Sequence, residues 1–143
     1  MKEKGKYMSE EYYYDFDINK VEISGIFDFR PGPGNLVIAS YDDTVIAEFY
    51  FDCFAGLEDE IVSVTLHTAN VKEQYRLHGV GTKIIKDVKR EYPEILARNV
   101  VNNTVENKND IHYSEEGLSF IQSCIKKGLI KDAEEENPEE EEI

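Results

Sequence analysis

Hydrophobic and polar residues alternate along the first half of the chain in a pattern that predicts a series of strands. Residues 20–29 alternate with a period of two, residues 36–39 and 45–51 flank the polar segment 41–44, and residues 61–71 are rich in Val, Ile, Leu and Thr. Because successive side chains of a strand point to opposite faces, such segments bury one face of a sheet. The polar segment is a predicted hairpin turn, and four consecutive strands predict an antiparallel meander.

Two loops are expected to interrupt this series. Residues 30–35 (RPGPGN) contain two prolines and two glycines, which should end the first strand because proline donates no ladder hydrogen bond. Within that strand, the alternation places Val21, Ile23, Gly25 and Phe27 on one face. Residues 53–59 are a predicted connection into the strand at 61–71. Before the series, residues 12–18 alternate in part and are compatible with an edge strand.

The periodicity changes after residue 71 and predicts a helix. Pro93 is expected to stop this helix, and residues 96–105 then predict a strand parallel to residues 61–71, because a helix lies between the two. The apolar residues of the helix recur at three- and four-residue steps, as on one helical face: Val80, Ile84, Ile85, Val88 and Tyr92.

A second helix is predicted after residue 113. Ser114 is a good N-cap, and Gly128 is a suitable C-cap. Leu118, Ile121 and Ile125 form the apolar stripe between them. Residues 129–130 are expected to add a short strand. The predicted fold class is therefore α/β in the broad sense, of the α+β type, with a mixed, mostly antiparallel central sheet flanked by helices.

Length and charge divide the chain into three predicted parts. With 143 residues and 41% hydrophobic content, one domain with one core is expected, over residues 20–131. Residues 1–19 form an arm, and residues 132–143 form an acidic tail that is expected to be disordered. Eight acidic residues and no basic residue lie in that tail, which reduces the net charge of the remainder from −14 to −6. Such a body argues against nucleic acid or a membrane as a partner, and leaves a basic substrate or protein open.

Cysteine and histidine residues give no sign of a disulfide or metal site. Cys53 and Cys124 show no ligand spacing, and three scattered histidines do not form a metal motif. The first 17 residues contain no apolar run typical of a signal peptide, and nowhere is there an apolar stretch of the roughly 18 residues that suggests a membrane span. The expectation is a reduced, cytoplasmic protein without a metal.

The strongest candidate for chemistry is the glycine turn between the strand at 61–71 and the first helix. The turn places Gly79 and Gly81 at a helix entry, where backbone amides are unpaired and side chains are absent. Such amides and the helix dipole favour an anion, above all a phosphate. A dinucleotide motif would need a further glycine at Ile84, and no GKS or GKT sequence supports a P-loop.

The pattern Arg-x-x-Gly-x-Gly resembles the acetyl-CoA-binding motif of the GNAT acyltransferase family, with Arg76, Gly79 and Gly81 at its fixed positions. The predicted element order and the ending Lys126-Lys127-Gly128-Leu129 of the second helix are similar to that family as well. The resemblance implies acetyl-CoA as the cofactor, with its pyrophosphate on the turn and its pantetheine arm along the strand. The implied cofactor-binding residues are Val71, Arg76, Leu77, His78, Gly79, Val80, Gly81 and Thr82.

The same resemblance implies transfer of an acetyl group to a small-molecule or peptide amine. Thr65 stands where one branch of the family has its base, so His67, two residues further on, becomes the base candidate, with Glu48 and Glu60 behind it. Cys124 stands where many members have the tyrosine that protonates the departing thiolate. The two helices that usually form the acceptor pocket are replaced by residues 30–35. Short family members often pair through strands, so a homodimer is one expectation for an otherwise open oligomeric state.

Alternatives remain at this point. The chain can be a catalytically impaired scaffold of the same kind that engages a basic protein partner, or, less favoured, an acidic decoy that mimics DNA. Each candidate also has a plain interpretation: His67 as a strand residue with a satisfied hydrogen bond, Cys124 as a small core residue, Arg76 as a surface cation, and the acidic run as a solubilising tail.

Overall fold

The computed structural model of the protein describes residues 16–98, 100 and 113–133. Six strands and two α-helices lie in that part of the chain, and they follow one another in the order strand, strand, strand, strand, helix, strand, helix, strand. Their bounds are β1 (Glu22–Ser24), β2 (Gly32–Tyr41), β3 (Thr44–Ala55), β4 (Ile61–Val71), α1 (Val80–Glu91), β5 (Ile95–Ala97), α2 (Glu115–Lys126) and β6 (Lys131–Asp132).

The strands form one mixed sheet in the order β1-β2-β3-β4-β5-β6. Neighbours from β1 to β4 are antiparallel, whereas β4–β5 and β5–β6 are parallel. Each parallel pair is connected through a helix, as a parallel connection requires. The predicted fold class, the four-strand meander and the parallel strand after α1 are confirmed.

Both helices pack on the same face of this sheet. Phe49 of β3 contacts Phe120 of α2, with ring centroids 5.7 Å apart. Gly81 of α1 lies against both rings, since a Cβ atom built there would come within 2.8 Å of Phe120 and 3.3 Å of Phe49. The predicted apolar face of α1 is buried in this layer. Just after the helix, Tyr92 stacks on Phe29 with an interplanar angle of 11°. The core therefore lies between the sheet and the two helices.

β4 pairs with β5 along only part of its length, and its remaining part lies beside the start of α2. At one end β4 pairs with β5 at only two positions, the last of which is Thr65 with Leu96. The next carbonyl, that of Leu66, accepts a hydrogen bond of 2.9 Å from the hydroxyl of Tyr113, immediately before α2. On the other edge, the register against β3 shifts so that His67 is an extra residue, a β-bulge. Beyond these points β4 faces the start of α2 instead of β5.

The prediction of one strand over residues 20–29 is wrong in its second half. β1 ends at Ser24, and Ile26–Asp28 form a 3₁₀ turn. Gly25 adopts φ +105°, and a Cβ atom there would overlap the carbonyl oxygen of Leu36, so only glycine fits. The break reverses the predicted faces: Ile26 is buried, whereas Phe27 is 80% exposed.

The predicted loops on either side of the β2–β3 hairpin are shorter than expected. β2 begins at Gly32, inside the segment that was predicted to be a loop, because a register shift between Gly32 and Asn35 accommodates Pro33. The Asn35 side chain stabilises this bulge by accepting from the Arg30 amide (2.8 Å) and donating to the Arg30 carbonyl (2.9 Å). β3 likewise continues through Cys53 to Ala55, so the connection to β4 is only residues 56–60.

The chain ends of the fold differ in detail from the prediction. β6 lies at Lys131–Asp132 rather than at residues 129–130, and Asp132 is buried, so the sheet includes the first residue of the predicted tail. Ile18–Lys20 form a 3₁₀ turn instead of part of an edge strand. Residues 1–15 of the predicted arm, residues 99 and 101–105 of the predicted strand 96–105, and the tail from residue 134 lie outside the described residues. The division into arm, domain and tail stays a prediction.

Candidate functional site

A cleft of about 760 Å³ opens between the end of β4, the glycine turn and one face of α2. Its floor is apolar and includes Phe49, Val80 and Phe120. One wall is the last part of β4, from Ala69 to Val71, which has no β5 partner. The cleft is therefore a consequence of the divergence of β4 from β5 and of the approach of both helices to the same sheet face.

The N-terminus of α1 faces this cleft. Gly79 is the N-cap residue with φ +88°, and no atom lies within 4 Å of the position that a Cβ would take there. The first helical hydrogen bond runs from the Lys83 amide to the Gly79 carbonyl (2.9 Å). Among the described residues, no group accepts a hydrogen bond from the amides of Val80, Gly81 or Thr82. Three free amides and the positive end of the helix dipole therefore favour an anion at this position.

Gly81 is glycine for a different reason from Gly79. Its backbone is an ordinary part of α1, and the ring of Phe120 occupies the space where a side chain would lie. The absence of a side chain thus lets α1 and α2 approach each other. The two glycines are at the helix entry, as the sequence predicts, but only Gly79 adopts a left-handed conformation.

Arg76 is held at the end of β4 by its own strand. Its Nε donates a hydrogen bond of 2.8 Å to the carbonyl oxygen of Val71, and one terminal nitrogen lies 4.0 Å from Oε2 of Glu116 on α2. The next residue, Leu77, has φ +67° and is fully exposed. A left-handed conformation is costly for leucine and is found where a turn is constrained for function or by packing. The turn therefore presents a fixed cation and an exposed apolar side chain at the cleft entrance.

The second wall is a face of α2 that the sequence analysis did not identify as part of the site. Its cleft-lining side chains include two acids in the first turn, Glu115 and Glu116, and the cation Lys127 after the last turn. Ser119 and Ser123 lie between them. The spacing 116, 119, 123 and 127 follows one helical face, and this polar stripe is the signal that could have identified the wall. Ser114 caps the helix by accepting from the Gly117 amide at 3.0 Å.

Three of the predicted site residues do not line the cleft. His67 is exposed at the bulge of β4, with Nδ1 2.9 Å from Oγ1 of Thr68. Cys124 is buried in the core, and this burial raises the pKa of its thiol to about 11, although the positive charge of Lys127 acts to lower it. The ring of His78 packs against Phe16, with centroids 5.3 Å apart.

The two secondary base candidates lie on β3 and in the β3–β4 turn. Glu48 is exposed on β3, and Glu60 accepts a hydrogen bond from the Glu58 amide (3.0 Å) in the turn. The chemical roles of all these residues stay predictions. The candidates that the structure brings together are Val71, Arg76, Leu77, Gly79, Val80, Gly81 and Thr82.

Comparisons with known proteins add little to this description. No protein-family model and no curated protein matches the sequence. Among solved structures, an acetyltransferase from Vibrio fischeri is similar at 18% sequence identity and a TM-score of 0.36, with the alignment covering 64% of this chain and 80% of that one. At that TM-score the similarity carries no argument about the function of this protein. None of the helices in the described part of the chain is sufficiently long and apolar to span a membrane.

Proposed function

We propose that the protein is an N-acetyltransferase that transfers the acetyl group of acetyl-CoA to an amine. The observation that supports this proposal best is the start of α1, where three amides have no acceptor among the described residues and whose residues line a large cleft together with Arg76. A pyrophosphate fits such a helix N-terminus because it accepts from several amides at once and opposes the positive end of the dipole. The neutral pantetheine arm suits the cleft wall formed by Ala69 and Val71.

In this proposal the chain positions two reactants that meet near the bulge of β4. Coenzyme A supplies the acetyl group as an activated thioester. The ammonium group first loses one proton to the base; the resulting amine forms a bond to the carbonyl carbon, the bond to sulfur breaks, and the second proton lost by the nitrogen passes to the departing thiolate, so that coenzyme A leaves as the free thiol. His67 is the proposed base because its ring is exposed at the bulge and a neutral imidazole can accept a proton. Cys124 is assigned to the core, since it is buried and outside the cleft lining.

The test is a pair of substitutions at one position. Gly79→Glu and Gly79→Gln introduce side chains of equal size at the same left-handed residue, so both carry the same backbone strain and differ only in charge. Isothermal titration with acetyl-CoA is expected to show binding by the wild type, a modest loss for the glutamine variant, and a further loss of at least about tenfold for the glutamate variant, since like charges at the phosphate site repel.

Gly34→Glu is a remote control for the added charge. Gly34 is also left-handed, at φ +82°, and a Cβ there meets no atom within 4 Å, but it lies at the start of β2 and not in the cleft. Its affinity for acetyl-CoA should match the wild type. Absence of binding by the wild type, or equal affinities of the two Gly79 variants, would contradict the proposed function.

A second candidate function is binding without turnover, with a basic protein as the partner. The observations that favour it are that neither His67 nor Cys124 lines the cleft and that Glu115 and Glu116 do. A panel of amines, including a polyamine, free lysine and a peptide N-terminus, separates the two candidates through release of free coenzyme A. Release that depends on an amine supports the transferase. Binding of acetyl-CoA with no release for any amine supports the binding module.

A further inference from the structure

We infer that Glu116 determines how strongly the cleft accepts a charged acyl donor, because its carboxylate competes with the phosphates of the donor for Arg76. This inference rests on the proposed function, and it assigns donor selectivity to a residue of α2 instead of the glycine turn. Arg76 and Glu116 belong to elements that are far apart in the sequence, yet their side chains meet at the cleft.

The position of Arg76 makes the competition direct. The hydrogen bond from Nε to the Val71 carbonyl, at 2.8 Å, fixes the guanidinium beside the end of β4. Its terminal N–H groups remain for an anion, and Glu116 Oε2 lies 4.0 Å from one of them. A diphosphate at the free amides of α1 would meet the same guanidinium, since Arg76 and the Gly79–Thr82 segment line one cleft. The carboxylate and the diphosphate therefore share a single cation.

Glu116 lies at the end of α2 that favours a negative charge. Glu116 lies in the first turn of α2, where the positive end of the helix dipole stabilises a carboxylate. Its side chain is 60% exposed and that of Arg76 is 36% exposed, so solvent screens the pair and the contact is weak enough to be exchanged. A donor with phosphates must displace Glu116 and approach its negative charge. A donor without phosphates meets no such opposition.

Titrations of two donors with three proteins test the inference. The donors are acetyl-CoA and S-acetylpantetheine, which carries the same thioester without phosphates. Glu116→Gln is expected to bind acetyl-CoA about three- to tenfold more tightly than the wild type, because it removes one screened repulsion and one competing ion pair. The affinity for S-acetylpantetheine should stay within about twofold, as a neutral ligand feels neither effect.

Glu91→Gln is the matched control for net charge. It removes the same charge from an exposed residue at the end of α1, outside the cleft, and should bind acetyl-CoA as the wild type does. The inference is overturned by unchanged or weaker binding of acetyl-CoA to Glu116→Gln, by equal tightening for S-acetylpantetheine, or by equal tightening in Glu91→Gln. Circular dichroism of each variant checks that its total helix content equals that of the wild type.

The failure of the proposed function can be told apart from the failure of this inference. If neither the wild type nor Glu116→Gln binds acetyl-CoA, the proposed function fails, and inorganic pyrophosphate then serves as the probe of the anion site. Tighter binding of pyrophosphate by Glu116→Gln than by the wild type supports competition for Arg76. Equal binding, or no binding to either protein, overturns it.

Discussion

At the residue scale, glycines serve three different purposes in this protein. Gly25 is left-handed and lies against the backbone of β2, so neither its conformation nor its surroundings admit a side chain. Gly79 is left-handed but open on its side-chain side, which leaves the helix entry accessible to a ligand. Gly81 has an ordinary conformation, and the ring of Phe120 fills the space beside it. A sequence shows the same letter in each case, and only neighbouring atoms distinguish the reasons.

Gly25→Ala is expected to lower the free energy of unfolding by about 2–4 kcal/mol, since it adds a steric overlap with the Leu36 carbonyl to the cost of a left-handed alanine. Gly32→Ala is the matched control. Gly32 has a similar φ of +113°, but no atom lies within 4 Å of its Cβ position, so about 1 kcal/mol is expected. Urea denaturation measures both values. If both variants lost the same free energy of unfolding, the left-handed backbone alone would explain why residue 25 is glycine.

At the element scale, α2 does more than cover the sheet. Its N-terminus fills the place next to β4 that β5 leaves open, with Tyr113 donating to the Leu66 carbonyl just before the helix begins. Its exposed stripe forms a wall of the cleft, and its buried side packs through Ile121 and Cys124. The helix start is therefore tied both to the stability of the sheet edge and to the shape of the site.

Ser114→Ala should lower the free energy of unfolding by about 1 kcal/mol, because it removes the side-chain oxygen that accepts from the Gly117 amide. Ser119→Ala, an exposed position within the same helix, serves as the control and should change stability by less than about 0.5 kcal/mol. Thermal or urea unfolding followed by circular dichroism gives both numbers. A cap role for Ser114 is refuted if the two variants are equally stable.

At the scale of the whole molecule, the two thiols are buried in one core and respond to pH together. Burial raises the pKa of Cys53 to about 11, with Asp52 adding to the shift, and burial raises that of Cys124 to about 11 as well. In the unfolded chain both thiols titrate near their ordinary value of about 9. Between pH 9 and pH 11 the unfolded state binds fewer protons than the folded state. The contribution of the two thiols to the free energy of unfolding is therefore fully present below pH 9 and is lost as the pH rises towards 11.

The expected slope is at most about 1.4 kcal/mol per pH unit for each thiol. Urea denaturation at pH 7.5, 8.5 and 9.5 measures it, below the range where tyrosines titrate strongly. The Cys53→Ala/Cys124→Ala double variant should be less stable at every pH, since it leaves small cavities, but its slope should be flatter. An unchanged slope in the double variant would rule out the thiols as its source.

Local sequence patterns determined the parts of the fold that depend on near neighbours. The bounds of β4 and the start of α1 agree with the alternation and the helical steps, because burial of one face imposes those periods on any strand or helix. Ser114 was recognisable as a cap, and the glycine turn as a helix entry, because capping and turn conformation involve residues only a few positions apart.

The tertiary structure alone decided whatever depends on atoms distant in the sequence. Gly25 breaks a well-patterned strand because the Leu36 carbonyl lies beside it, and Asn35 keeps a proline-containing segment in the sheet. His67 and Cys124 became candidates because they lie at or near positions where the family has catalytic residues, yet the structure places His67 at the bulge and Cys124 in the core, both outside the cleft lining. Arg76 pairs with Glu116 because the end of β4 and the start of α2 are close in space, and the periodicity of the sequence does not predict which elements lie next to each other.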